Sequence, residues 1–428
     1  MRIERERYLS RLKAKRFNGM IKVITGIRRC GKSFLLFELY HDFLIADGVP
    51  EECIVTLALD ELSNGRYRDP YELDRFVREK TADRGRQYYV FLDEIQKVNE
   101  VRTEWGIVTF ADVLLGLMKL KNVDLYVTGS NSKMLSSDVL TEFRGRGDEI
   151  RIGPLSYGEF CLAYPGDKRH AWRDYMTYGG TPLILSMPSH ADKSRYLKDL
   201  FSGTYLADVL DRYRIRNEGW VLEDLLNILS SGVGKLTNPA KLSGLLQSEK
   251  HTAVSQATVA RYLDYFTDAF LIEKSCRYDI KGKKYLSTPY KYYFTDVGLR
   301  NARLNFRQTE ENHIMENILF NELRSRGYDV DVGVVERCTK DAHGTNVRTQ
   351  LEVDFVVNRA SERYYIQSAF MIPDDEKRRQ ETEPLCRIGD SFRKIIVVRD
   401  DIVPHYDDSG ILYIGIERFL LDEGAMCL

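Results

Sequence analysis

The run Gly26-Ile27-Arg28-Arg29-Cys30-Gly31-Lys32-Ser33 constrains this chain more than any other feature. Its glycines let the backbone curl so that N–H groups point inward around an anion. Such a loop needs a strand to deliver it and a helix to leave it, because the helix brings the positive end of its dipole to the same place. Both neighbours are there. Met20-Ile21-Lys22-Val23-Ile24 is a short β-branched run that predicts a strand, and Phe34, Leu35, Leu36, Phe37, Leu39 and Phe43 populate a helix. Gly-x-x-x-x-Gly-Lys-Ser is the pattern of a phosphate-binding loop. Gly26 through Ser33, with Phe34 beside them, are therefore the predicted nucleotide contacts. Lys32 should reach the β- and γ-phosphates and the Ser33 hydroxyl should hold Mg2+. The implied cofactors are ATP and Mg2+.

Downstream, Ile54–Leu57 predicts a second strand, Pro70–Thr81 a helix, and Gln87–Leu92 a third strand that is almost wholly apolar, as a buried parallel strand is. That third strand ends in Asp93-Glu94. Asp93 at its tip suits the shell of Mg2+, and Glu94 suits a general base that orients and deprotonates the attacking water. A helix over Ala111–Lys121 leads to a fourth strand, Asp124–Thr128. Thr128, or Ser130 and Asn131 just after it, could hydrogen-bond the γ-phosphate or its water. Arg146, in Arg144-Gly145-Arg146, is the candidate arginine finger, acting in trans if the chain forms a homo-oligomer. Arg28 and Arg29 could instead touch phosphate or a partner. Alternating strands and helices imply a parallel sheet with right-handed crossovers.

The 428 residues allow about three domains. Charge gives little away: 63 basic and 64 acidic side chains leave a net −1, so any grip on nucleic acid must come from a local patch. The seven cysteines form no C-x-x-C pair, so neither a zinc ribbon nor a redox motif is indicated, and scattered thiols suit a reducing compartment. Met1 to Arg7 lacks the apolar core of a signal peptide. No run reaches about 18 apolar residues, so no membrane span or membrane partner is expected and the expected location is cytoplasmic.

Residues 153–218 read as mostly helical, broken by the turn Tyr178-Gly179-Gly180-Thr181-Pro182. From 219 to 305 the rhythm is three helices and a hairpin, a winged helix. Its third helix carries Val259, Tyr262, Leu263, Phe266 and Ala269 on one face. The hairpin region 273–291 holds six basic residues, Lys274, Arg277, Lys281, Lys283, Lys284 and Lys291, against Glu273 and Asp279. A basic wing beside Ser255, Gln256, Thr258 and Arg261 suits DNA phosphates and a groove. Protein docking or plain solubility accounts for it equally well. Residues 306–428 predict a helix around Glu316 and strands at Val353–Val357, Tyr364–Gln367, Ile395–Val398 and Leu412–Ile416.

In order, the loop, Leu92-Asp93-Glu94-Ile95-Gln96, Thr128-Gly129-Ser130 and Gly145-Arg146 resemble AAA+ ATPases. With Pro154-Leu155-Ser156, Gly179-Gly180-Thr181-Pro182, Glu316-Asn317 and Glu352-Val353-Asp354-Phe355, they resemble a bacterial and archaeal family of AAA+ ATPases with a C-terminal domain of unknown function. The resemblance implies ATP binding and an AAA+ strand order. Glu316, Asp354 and Tyr365-Ile366-Gln367-Ser368-Ala369 also resemble a restriction-endonuclease-like core. There, Gln367 replaces a metal-binding glutamate and Ala369 a lysine, so the implied domain is not a working nuclease.

The expected architecture is α/β. It comprises a P-loop AAA+ parallel-sheet domain over 1–152, a helical lid over 153–218, a winged helix over 219–305 and a restriction-endonuclease-like domain over 306–428. The expected function is ATP hydrolysis with Mg2+ coupled to DNA or a DNA-bound complex. The alternative is a nucleotide-dependent switch or scaffold in a protein assembly, with slow turnover and no nuclease activity.

Overall fold

Strands of five or six residues, most of them apolar and buried on both faces, dictate the first half of the molecule. In a computed structural model they are β1 Ile21–Thr25, β2 Ile54–Ala58, β3 Tyr88–Asp93, β6 Val123–Thr128 and β7 Gly147–Arg151. Between β3 and β6 lies a small hairpin, β4 Val101–Thr103 and β5 Gly106–Val108. The structure describes residues 2–129, 143, 145–215, 219–250, 253–307, 310–340 and 346–428. The large strands form one sheet in the order β2-β3-β6-β1-β7, and every pairing in it is parallel. Among the described residues no helix is long and apolar enough to cross a membrane.

Alternation sorts the side chains of this sheet to two faces. Ile21, Val23, Val55, Leu57, Val90, Leu92, Leu125 and Val127 share one core with Leu73, Val77, Leu114 and Leu117 of the covering helices. Each such side chain, fully buried, contributes about 1.5–3 kcal/mol. The other face is aromatic and polar. Phe91, Tyr126 and Tyr40 meet with ring centroids 5.1–5.7 Å apart. Beside them the fully buried Lys22 ammonium pairs with Asp124, which also accepts from Tyr126 Oη (2.7 Å) and Phe17 N (3.0 Å). Burial pushes the Lys22 ammonium below its ordinary value, against the pull of Asp124.

Contacts divide the chain into two compact units. The first is Met1–Pro154 with Ala207–Arg214 and Asp268–Phe270. The second is Leu155–Leu206, Ile215–Thr267 and Leu271–Leu428. In the second unit an eight-stranded mixed sheet runs β14-β15-β13-β12-β11-β10-β8-β9. These strands are β8 Ile272–Asp279, β9 Lys284–Phe294, β10 Asp329–Lys340, β11 Asn346–Arg359, β12 Glu362–Ala369, β13 Arg393–Val398, β14 His405–Tyr406 and β15 Leu412–Gly415. Three helices, Gly219–Ser231, Pro239–Lys250 and Gln256–Asp268, precede the β8–β9 hairpin. That hairpin is hydrogen-bonded into the same sheet as the C-terminal strands, since Arg277–Asp279 of β8 pair in parallel with Val332–Val334 of β10. One sheet thus holds strands from both sides of residue 305.

The family-marker motifs acquire a physical account here. Ser156 and Glu159 form a reciprocal capping box at the helix Tyr157–Ala163. Leu155 N donates to Gly180 O (2.7 Å) and Leu155 O accepts from Tyr175 Oη (2.9 Å). A Cβ on Gly180 would stand 2.2 Å from Leu155 O, so this approach requires glycine. The buried Asp296 carboxylate accepts from Gly180 N, Thr181 Oγ1, Gly298 N and Leu299 N at 2.7–3.3 Å. It thereby joins the Gly-Gly-x-Pro turn to the helix Val297–Arg303. Asn317, on the helix Glu311–Ser325, brackets Phe294 by donating to its carbonyl (2.7 Å) and accepting from its N–H (2.8 Å).

Candidate functional site

β1 hands its last residue, Thr25, directly to the glycine loop. Gly26 (φ +139°) and Gly31 (φ +94°) occupy backbone conformations open chiefly to glycine, and Arg29 holds φ +63° against its Cβ. Gly26 also runs so close to β7's exit that a Cβ would stand 2.0 Å from Ile152 O. Lys32 opens a helix running to Ala46, with wider π turns over Leu35–Tyr40. Its side chain is 5% exposed and its Nζ donates to Gly26 O (2.9 Å) and Ile27 O (3.0 Å). The ammonium thus sits inside the ring of the loop. Cys30 and Ile27 are buried, Phe34 half-buried, and Ser33 and Arg29 face solvent.

The acidic tip reaches the same edge of the sheet. Registers Ile24↔Thr128 and Leu92↔Val127 align the ends of β1, β6 and β3. β3 lies two strands from β1, roughly 10 Å across the sheet. Asp93 is 6% exposed, and its Oδ1 accepts from the Thr128 hydroxyl and from Glu94 N (3.1 Å). Thr128 Oγ1 in turn accepts from Glu94 N (3.3 Å). Thr128 is therefore fully buried against the acidic tip. Glu94 adopts φ +51°, a left-handed conformation that costs about 1–3 kcal/mol in a non-glycine residue, and its carboxylate accepts from Gln96 Nε2.

Two further contacts secure the loop, and sequence reasoning misses both. Arg5, 3% exposed, donates to Cys30 O (2.9 Å) and Gly153 O (3.0 Å), and its guanidinium lies 4.7 Å from the Tyr8 ring centroid. Arg28 pairs with Asp208 (2.9 Å), on the short helix Ala207–Arg212. Burial raises the Asp208 carboxyl, the Arg28 guanidinium opposes this, and Asp211 and Glu94 add to it. No local motif announces Arg5 or Asp208, because each acts on the loop from far along the chain.

Arg146 is not brought to the loop. Its carbonyl accepts from Ile21 N (3.0 Å), which puts it at the opposite end of β1, about 16 Å of strand away, and its side chain faces solvent. Ser130, Asn131 and Arg144 lie outside the described residues. The basic hairpin is also smaller than its composition suggests. Lys274, Lys281, Lys283 and Lys284 face solvent, whereas Arg277 and Lys291 are buried, Arg277 donating to Gln350 Oε1 (2.6 Å).

Residues 18–161 match an AAA domain, and residues 169–310 match a domain of unknown function. Among solved structures, a Walker-type ATPase of Pyrococcus abyssi is similar at 17% identity and TM-score 0.47, covering 71% of this chain and 96% of that one. An uncharacterized protein of Methanocaldococcus jannaschii is 29% identical over 72% of this chain and 67% of its own length. An uncharacterized protein of Haemophilus influenzae is 34% identical over 92% of this chain and 93% of its own length. The chain belongs to the family of that Haemophilus influenzae protein, and the phosphate loop and acidic tip lie within its AAA domain.

Proposed function

We propose that this protein hydrolyses ATP with Mg2+ and couples the cycle to DNA or a DNA-bound complex. One observation carries the reading: Asp93, Glu94 and Thr128 converge at the sheet edge from which the loop Gly26–Ser33 emerges. Lys32 would exchange its two carbonyl partners for β- and γ-phosphate oxygens. Ser33 and Asp93 offer the hard oxygen donors that Mg2+ takes, and the bound ion would neutralise charge on the phosphates. Glu94 would orient and deprotonate the water. Arg146, solvent-facing and remote from its own loop, suits a role in the site of a second copy. The four exposed lysines of the hairpin and the exposed Arg261 would supply the phosphate contacts to DNA.

The test is nucleotide binding by calorimetry together with turnover. Lys32→Ala should abolish ATP binding. Glu94→Gln should keep it while lowering hydrolysis about 100-fold or more. Turnover should rise with single- or double-stranded DNA at low salt and lose that rise at higher salt. Unchanged ATP affinity in Lys32→Ala would remove the site, and wild-type turnover in Glu94→Gln would remove the base. ATP-dependent assembly without DNA stimulation would leave the nucleotide-dependent switch.

A further inference from the structure

The second unit gathers three acidic side chains and a glutamine around one place, and a lysine occupies its centre. Glu316 arrives from the helix Glu311–Ser325, Glu352 and Asp354 from β11, and Gln367 from β12. Into their midst β9 sends Lys291, 2% exposed. Its Nζ stands 2.6 Å from Glu352 Oε1, 2.8 Å from Glu316 Oε1 and 3.6 Å from Asp354 Oδ1. The remaining groups are also engaged. Tyr293 Oη donates to Glu316 Oε1 (2.7 Å), and Ser368 N donates to Asp354 Oδ2 (2.8 Å). Gln367 Oε1 accepts from Asp354 N (3.3 Å), while its Nε2 donates to Glu381 Oε2 (3.1 Å).

We infer that the Lys291 ammonium is the resident cation of this cluster, holding the place a divalent metal would otherwise take and keeping the domain metal-free. An ammonium offers three donors at ordinary hydrogen-bond distance and one positive charge, which meets part of what buried carboxylates require. A divalent ion in the same place would meet Lys291 as a like charge at contact distance. Among the described residues no three His, Cys, Asp or Glu side chains stand so that they could hold a metal ion.

Burial pushes the Asp354 carboxyl up against the pull of Lys291, and Glu316 and Glu352 push it further. Lys291 itself stays charged. Burial opposes its charge, but Glu316, Tyr293, Asp354 and Glu352 outweigh it and hold the ammonium well above its ordinary value.

The experiment is Mn2+ titration of the full chain without nucleotide, by calorimetry and electron paramagnetic resonance. Wild type and Glu316→Gln should be alike and show no site tighter than about 1 mM. Lys291→Ala should gain one site at least ~100-fold tighter, raise its melting temperature with Mn2+, and lose both effects on adding Glu316→Gln. A wild-type site abolished by Glu316→Gln would overturn the inference. So would a folded Lys291→Ala that takes up no Mn2+. If Lys291→Ala folds only with Mn2+ present, the ion is replacing the ammonium and the inference holds.

Discussion

At the scale of single residues, buried charge decides most. Lys22 and Asp124 are 0% and 3% exposed and lie between aromatic rings beneath the parallel sheet. Asp124→Ala would strand the ammonium, and we expect a loss of about 3–5 kcal/mol, read as a lowered melting temperature. The pair Lys22→Met with Asp124→Leu should recover most of that loss. An Asp124→Ala protein melting with wild type would show that the pair contributes nothing. The turn from Gly26 to Ser33 is legible in the sequence because most of its geometry is local: Gly31 and Lys32 act within one turn of chain, and only the approach of Gly26 to Ile152 is long-range. Arg5, Asp208 and Lys291 were not, because their roles consist of contacts made across long stretches of sequence. Composition even misdirects at Lys291, which counts as a surface charge of the hairpin until the fold turns it inward.

At the scale of elements, strands with two buried faces announced themselves as unbroken apolar runs, and β1, β2, β3 and β6 stand where periodicity puts them. β7 carries no such signal, because an edge strand with one neighbour tolerates Asp148, Glu149 and Arg151 in a five-residue span. β10 was also unassigned, although Val330, Val332 and Val334 alternate and are buried; Asp329, Asp331 and Gly333 mask the pattern. The Gly-Gly-x-Pro turn is legible as a turn, but its purpose appears only with Leu155 and Asp296 in place. Gly180→Ala should therefore cost about 1–3 kcal/mol, since the added methyl would meet Leu155 O at 2.2 Å. Gly203→Ala, where nothing stands within 4 Å, is the matched control and should be neutral or slightly stabilising. Equal melting temperatures for the two variants would refute the packing account of the marker.

At the scale of the whole molecule, the chain leaves its first unit at Pro154 and returns to it with Ala207–Arg214 and again with Asp268–Phe270. Asp208 and the buried Val209 belong to the first return. Phe270 in the second receives the Arg151 guanidinium at 4.4 Å. A fragment ending at Pro154 keeps every nucleotide motif but loses these partners. We expect it to melt lower than the nucleotide-stabilised transition of the full chain and to show a smaller shift with ATP. A fragment with full-length melting and an undiminished shift would make the returning segments dispensable. The helix around Arg5 and Tyr8 extends the point to the other flank of the motif. A product of internal initiation at Met20 would still display the complete glycine signature, yet the carbonyl of Cys30 would have lost its buried anchor. A motif scan would score such a shortened protein as intact, although the part that grips the loop would be missing.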